Sequence, residues 1–289
     1  MKDNKKHKKT EYGILITGLI ILLAAACIIA LCAGQYSVSV PEVIKILASR
    51  FVNVTKTWSN TAEGVVFTLR LPRIIGAVLV GSALSLSGAA YQGVFKNPLV
   101  APDLLGVSSG ACVGASVAIL LHLNSFGVQA MAFVAGILAV GLTLFIPRLI
   151  KNTNMTMLVL SGIIVKGIMD SVMGIIKYVA DPETELQSIT YWQLGSLTKV
   201  LPKDLFTVGP VIVAASVIIF LLRWRINILS LGDREAKTLG VSVTVVRNFI
   251  IICATLLTAS AVCISGTIGW IGLVIPHFAR MLTGPDNTK

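Results

Sequence analysis

The sequence predicts an all-α fold, a polytopic integral membrane helix bundle with about eight transmembrane helices. Of its 289 residues, 55% are hydrophobic and 13% are charged, and the mean hydropathy of +0.86 lies outside the range of soluble globular domains. Crossing a bilayer core about 30 Å thick takes roughly 20 apolar helical residues, and several stretches meet that length. Segments of about ten residues with alternating polarity, which are typical of membrane strands, are absent. The predicted spans are therefore helices.

The eight predicted spans follow the apolar stretches in order. The first stretch is longer than the apolar part of a signal peptide and follows a lysine-rich amino terminus, so we predict an uncleaved span. Glycines recur every third residue from Gly266 to Gly272, just before Pro276, which predicts that the last span is short or broken. The predicted spans are 13–33, 74–92, 104–121, 128–147, 155–179, 205–222, 244–264 and 266–282.

The basic residues predict the orientation of these spans in the cell membrane. With the amino terminus in the cytoplasm, fifteen Lys and Arg fall on the cytoplasmic side and seven on the opposite side. The formal net charge of +11 is then a consequence of membrane topology rather than of nucleic-acid binding. The five cysteines lie in apolar runs without metal-ligand or disulfide spacing, so we predict no metal site and no cofactor.

The stretch from Ser87 to Ala111 is too polar and too rich in turn residues for a simple pair of spans. It reads SGAAYQGVFKNPLVAPDLLGVSSGA, and two X-Pro dipeptides interrupt it at a predicted cytoplasmic turn. The residues that mark this turn are Gln92, Asn97, Pro98, Pro102 and Gly106.

This stretch resembles the signature of the FecCD-type permeases, which import iron-siderophores, haem and cobalamin. The elements SGA, Gln, NPL, Pro and LGVSxGA stand at matching intervals without gaps. A second run, SGTIGWIGLVIPHFARMLTGPD at 265–286, is similar to the GxIGFIGLVxPHxxR segment of that family. The resemblance extends from the first span to the end of the chain and implies a single transmembrane permease domain over 1–289.

The carboxyl-terminal end departs from the family pattern. Family members usually have ten spans, and the last two follow a loop that continues beyond GPDHR. Here the corresponding sequence is GPDNTK, and it ends at Lys289. The expectation from the sequence is a permease that lacks the last two family helices, whether as a fragment or as a natural truncation.

The resemblance also implies partners. Family members pair two permease subunits, identical or different, with two cytoplasmic ATPase subunits and an extracytoplasmic substrate-binding protein. The chain has no GxxxxGK[ST] loop, so we expect ATP hydrolysis in a separate subunit and no catalytic residue here. The sequence does not identify which chelate is carried. Two alternatives stay open, an ion-coupled secondary transporter and a truncated, non-conducting scaffold.

The motif LRLPR at 69–73 is predicted to lie at the outer end of the second span. In the family these arginines are expected to pair with glutamates of the docked binding protein, which assigns docking to Arg70 and Arg73. A guanidinium keeps its charge and forms bidentate contacts with carboxylates. The alternative is that both side chains only extend to the membrane interface.

The segment 231–241, LGDREAKTLGV, lies between the sixth and seventh spans and is polar and helix-prone. It is similar to the coupling helices through which importer permeases contact their ATPases. A plain solvated loop is the alternative. The coupling residues implied by the resemblance are Asp233, Glu235, Ala236 and Gly240.

The fifth span contains three charged residues on one helical face, Lys166, Asp170 and Lys177. Each charge costs about 2.5–3.5 kcal/mol at the centre of a span unless it is paired or faces water. In the family this span lines the translocation pathway, so these residues are candidates for substrate contact. The alternative is a structural ion pair between Lys166 and Asp170, with Lys177 reaching outward.

Overall fold

The computed structural model describes residues 2–152, 154–284 and 286, with side chains described from Tyr12 onward. Within these residues the chain is helical and contains no strand. The amino-terminal lysine side chains, which contribute to the predicted orientation, lie outside this part. Residues 287–289, on which the predicted loss of two family helices depends, also lie outside it. The α-helices are α1 (Lys2–Cys32), α2 (Val40–Ala48), α3 (Asn60–Gly64), α4 (Leu71–Phe95), α5 (Val107–Leu120), α6 (Ser125–Leu149), α7 (Met155–Val179), α8 (Glu185–Gln193), α9 (Pro202–Leu231), α10 (Asp233–Thr238), α11 (Val243–Ser265) and α12 (Ile271–Thr283).

Six helical segments of the described chain are long and apolar enough to cross a membrane. They are Tyr12–Cys32, Asn60–Phe95, Ser125–Leu149, Met155–Val179, Pro202–Leu231 and Val243–Ser265. The second includes a π-helical turn, Val65–Arg70, that joins α3 to α4. Two shorter apolar helices, α5 and α12, account for the remaining two predicted spans. The predicted short or broken last span is confirmed, because α12 begins only at Ile271.

The chain divides into two compact units, Met1–Ala77 and Val78–Lys289. The first has its own small apolar core, in which Val43 and Ile46 of α2 are completely buried together with Val66. Arg70 closes this unit by donating hydrogen bonds to the carbonyl oxygens of Leu31, Cys32 and Tyr36. These acceptors lie at or just beyond the carboxyl end of α1, where helix carbonyls lack intrahelical partners.

In the second unit α11 is the central helix. Most of its residues are buried, and it packs against α5, α6 and α9. Helices α5 and α6 lie very close together, because Gly110 and Gly114 present no side chain to Ala135 and Met131. The small residues spaced by four along α5 thus let the two backbones approach closely.

The link between α11 and α12, residues 266–270, leaves helical geometry within the second unit. Gly266 and Trp270 both adopt positive φ, at 66° and 68°. The link is held against the segment after α8, where the Ser196 amide donates to the Ser265 carbonyl oxygen at 2.6 Å. Thr267 Oγ1 donates to the carbonyl oxygen of Gln193. Such backbone at membrane depth is tolerated where it is buried in protein or lines a water-filled space.

Helix α12 is placed on α4 by a contact between two glycines. A Cβ atom at Gly88 would overlap the carbonyl oxygen of Gly272, and a Cβ atom at Gly272 would overlap the ring of Pro102. Gly81, two turns earlier on α4, has open space instead. The crossing therefore requires glycine at one position of α4 and not at the other.

We expect Gly88→Ala to lower the stability of the protein by about 1–3 kcal/mol, because the added methyl group forces α4 and α12 apart. The measurement is the thermal unfolding midpoint of the purified protein in detergent. Gly81→Ala is the matched control and should leave the midpoint unchanged or slightly raised, since alanine is the better helix former. Equal destabilisation by both variants would contradict the proposed close crossing.

Candidate functional site

A cavity of about 380 Å³ lies between the first turn of α5, the middle of α7 and the link from α11 to α12. Its wall is formed partly by non-helical backbone at 267–270, and Trp270 beside it is largely exposed. The polar side chains that line it are Asp103, Ser108, Ser109, Lys166, Asp170, Gln193, Thr258 and Thr267. Three of these carry charge. The cavity is therefore a place in the second unit where charged side chains of both signs face open space.

Asp103 organises one wall of the cavity. It lies in a short 3₁₀ helix, Pro102–Leu105, that ends at Gly106 with φ of 81°. One carboxylate oxygen accepts the Ser108 amide at 3.0 Å, at the start of α5, and the other accepts Lys166 Nζ at 2.7 Å. This carboxylate fixes α5 to α7 and stabilises the amino-terminal end of α5.

The 3₁₀ helix that carries Asp103 is held from two sides. Thr143 on α6 donates to the Leu105 carbonyl oxygen at 3.0 Å. Gly162 on α7 lies directly against the backbone of Leu104, where a side chain would not fit. Both contacts keep the Asp103 carboxylate at the cavity wall.

The three charged residues of α7 have different surroundings. Lys166 forms its ion pair with Asp103, so the pair with Asp170 weighed from the sequence is not the one formed. Asp170 lines the same cavity and is exposed. Lys177 is partly buried and does not line the cavity.

The predicted turn between α4 and α5 is present. Lys96 adopts φ of 52°, and the Asn97 side chain accepts the Leu99 amide at 2.9 Å in a local turn, while Pro98 is exposed. Gln92 is buried and donates to the carbonyl oxygens of Val100 and Leu273, at 3.3 and 3.1 Å. The turn is thereby attached to α12.

Arg280 on α12 completes this attachment. Its guanidinium donates to the side-chain oxygen of Gln92 and to the Ala89 carbonyl oxygen, the latter at 3.2 Å. Gln92 thus uses both its amide nitrogen and its oxygen to join α4, the turn and α12.

The helix α10 is short and polar and carries the predicted coupling residues. Asp233 accepts Arg247 at 2.7 Å and Lys96 at 3.4 Å, which ties α10 both to α11 and to the turn after α4. The hydrogen bond from Arg247 holds the pKa of the Asp233 carboxyl below its ordinary value. Ala236 is completely buried, whereas Glu235 is exposed. Gly240 ends the segment with φ of 77° in open space.

The two arginines of the LRLPR motif differ in their contacts. The Arg70 guanidinium is occupied by the three carbonyl oxygens at the end of α1. Arg73 lies in the first turn of α4 and is partly exposed.

Comparison with known proteins identifies this architecture. A family model described as the FecCD transport family matches residues 21–289. The chain belongs to the FecCD transport family. It is therefore a permease of an ABC transporter and a multi-pass membrane protein, and the resemblance seen in the two signature runs is confirmed.

Relatives within the family are named for different cargoes. The chain is 36% identical over 278 residues to the molybdate import system permease MolB of Haemophilus influenzae, which covers 96% of this chain and 82% of that protein. It is 41% identical over 225 residues to a probable iron chelatin transport system permease of Helicobacter pylori, covering 78% and 68%. The hemin transport system permease HmuU of Yersinia pestis is 35% identical over 250 residues, covering 83% and 74%.

A solved structure supports the same assignment. It is described as a metal-chelate type ABC transporter in an inward-facing conformation, and its chain matches with a TM-score of 0.85 at 34% sequence identity. The match covers 96% of this chain and 84% of that chain. At this identity the likeness extends beyond the fold to the ABC transporter class.

Three polar residues of this FecCD permease were missed as site residues by sequence reasoning. Arg247 and Arg280 entered only the count of cytoplasmic charges, and Asp103 was not considered. Asp103 did carry a signal, because it is the one acidic residue between Glu63 and Asp170 in the sequence. An isolated acid within a long apolar region is unusual and marks a partner or a water-filled site.

We expect Asp233→Ala to lower the free energy of unfolding by about 1 kcal/mol. The buried Arg247 would lose its carboxylate partner, which is costly. The cost stays modest because Asp233 is half-exposed, and solvent screens the ion pair. In an Arg247→Met background the same change should cost much less. SDS-induced unfolding in mixed micelles, followed by circular dichroism, measures this double-mutant cycle.

A control variant and the pH dependence of stability further test the Asp233–Arg247 pair. Glu235→Ala removes an exposed carboxylate from the same helix and should change stability by less than about 0.5 kcal/mol. Because the pKa of Asp233 is lowered in the folded protein, its stabilisation is present at neutral pH and is lost as the pH falls through that lowered value. Equal costs in both backgrounds would show that the two side chains are not coupled.

Proposed function

We propose that this chain acts as a single transmembrane permease domain that forms one half of the pathway of a binding-protein-dependent importer for a metal chelate. The cargo class is an iron-siderophore, haem or cobalamin. The observation that carries the proposal is the cavity lined by Asp103, Lys166 and Asp170, since charged side chains within membrane spans mark substrate paths. The second half is a further permease subunit, identical or different.

The proposed orientation places the amino terminus, the turn at 96–101 and α10 in the cytoplasm of a cell-membrane protein. The excess of Lys and Arg on that side supports it. Lys96 in the turn contacts Asp233 on α10, so these two segments lie at the same end of the second unit. The proposed orientation requires this arrangement.

The proposed energy source is a separate cytoplasmic ATPase that binds at α10. Asp233 and the buried Ala236 fix this helix to the bundle, while Glu235 and the region up to Gly240 are exposed for contact. Such an arrangement suits the transfer of rigid-body motion, because α10 cannot move without pulling on α11 and on the turn after α4.

The proposed contact with the extracytoplasmic binding protein is carried by Arg73 and Arg70. Arg73 is the better candidate, because it is partly exposed and its guanidinium can take a partner's carboxylate bidentately. Arg70 already donates to three carbonyl oxygens, so its contribution to docking is combined with a structural one.

The function is tested by uptake into proteoliposomes that contain this permease, its ATPase and its binding protein. The probes are a radiolabelled ferric trihydroxamate, haem and cyanocobalamin, each offered with and without ATP inside the vesicle. We expect ATP-dependent accumulation of one of them that persists when ionophores collapse ion gradients. Accumulation driven by an ion gradient without ATP would instead support a secondary transporter, and no accumulation of any probe would support a non-conducting scaffold.

We expect Arg73→Glu to weaken docking of the binding protein at least tenfold, because attraction between opposite charges becomes repulsion at the interface. Surface plasmon resonance on the detergent-purified permease measures the affinity. The thermal unfolding midpoint of this variant should stay unchanged.

Arg70→Glu is the companion variant, and it should lower the midpoint, since it breaks the hydrogen bonds at the end of α1 and places a carboxylate beside carbonyl oxygens. If Arg73→Glu leaves the affinity unchanged, the docking assignment of that residue is wrong.

A further inference from the structure

The three charges that line the cavity do not sum to zero. Lys166 is neutralised by Asp103 at 2.7 Å, and the second oxygen of Asp103 is used by the Ser108 amide. Asp170 faces the same cavity and has no cation within ion-pair distance in the described part of the chain. The cavity therefore contains one carboxylate more than it contains cations.

Lys177 on the same helix forms no ion pair with Asp170. It lies seven residues after Asp170, which corresponds to about 10 Å along a helix, and it is not part of the cavity wall. The basic residues at the α10 end of the second unit are not part of that wall either, and Arg247 is already bound to Asp233.

The face of α7 around Asp170 is open. Gly167 and Gly174, one turn before and after it, both have free space where a side chain would stand, and Ser171 beside it is exposed. These small neighbours leave the Asp170 carboxylate accessible. An unpaired carboxylate inside a span costs about 2.5 kcal/mol or more on insertion scales, unless water reaches it.

We propose that Asp170 is the charge-selectivity residue of this permease, and that it makes the pathway favour neutral or cationic metal complexes over anions such as molybdate. The inference rests on the proposed function only in taking this cavity as part of the pathway. Low-dielectric walls concentrate the field of a fixed charge, so one uncompensated carboxylate attracts cations into the cavity and repels anions. In a symmetric pair of permeases each subunit contributes the same carboxylate, which doubles the effect.

The sign of the potential can be measured without transport and without the natural cargo. A reporter thiol is placed in the cavity wall by Ser109→Cys, with Cys112→Ala removing the native thiol that lines the same space. The purified protein in non-ionic detergent is then treated with a cationic and an anionic methanethiosulfonate of similar size. Dividing the ratio of the two rates by the ratio for a free thiol reports the local potential, because any change in thiolate fraction affects both reagents equally.

We expect the cationic reagent to be favoured, and Asp170→Asn to reduce the normalised rate ratio roughly tenfold, as removal of one charge at close range predicts. Asp170→Lys should reverse the preference. Glu183→Gln is the matched control, because it removes one carboxylate from the exposed loop after α7, outside the cavity wall, and should leave the ratio unchanged.

The outcomes separate this inference from the proposed function. A ratio near one in the parent protein, or a ratio unaffected by Asp170→Asn, overturns the selectivity role whether or not the protein transports a chelate. A second reporter in the cavity wall, Ser108→Cys, covers the case in which residue 109 does not react. If neither thiol reacts with either reagent, water does not reach the cavity and the proposal is wrong. ATP-driven uptake, measured separately, decides the proposed function.

Discussion

Within a bilayer core the backbone finds no water to bond with, and this constraint decides where the chain can leave helical geometry. Two departures in the second unit are the segment from Val100 to the 3₁₀ helix before α5 and the link between α11 and α12. Each is held by polar side chains, namely Gln92 and Arg280 for the first and Thr267 for the second. Part of each also lines the cavity, so the irregular backbone and the open space occur together.

Two carboxylates act as joints of the second unit. Asp233 connects α10 to Arg247 on α11 and to Lys96, and Asp103 connects the start of α5 to Lys166 on α7. Lys96 and Asp103 belong to the same connection between α4 and α5. A displacement of α10 can therefore reach the cavity wall through the ion pair between Asp233 and Lys96 and then along the backbone from Lys96 to Asp103. This route would serve the coupling to an ATPase that is proposed for α10.

The FecCD scaffold does not by itself fix the cargo. Relatives at similar identity to this chain are named for molybdate, iron chelatin and hemin import. These cargoes differ in size and charge, whereas helix packing by Gly88, Gly110 or Gly114 concerns only the bundle. Any discrimination by the permease itself then depends on side chains that reach open space, and the charged ones in the cavity wall of this chain are Asp103, Lys166 and Asp170.

The sequence by itself determined the fold class, the family and the positions of the spans. Hydrophobic length is a local property, and the two signature runs are contiguous in the chain, so neither requires knowledge of distant contacts. The interruption of helical geometry before α12 was also predictable from the sequence, because glycine and proline affect the backbone locally.

Only the tertiary structure decided which charges meet. Lys166 and Asp170 are one helical turn apart and suggested a pair, yet Lys166 binds Asp103, which is 63 residues away in sequence. Arg70 was equally ambiguous, since a motif fixes its place in the chain but not the carbonyl oxygens that occupy it. The physical reason is that an ion pair or hydrogen bond depends on distances of a few ångströms, and for residues far apart in sequence these distances are set by helix packing.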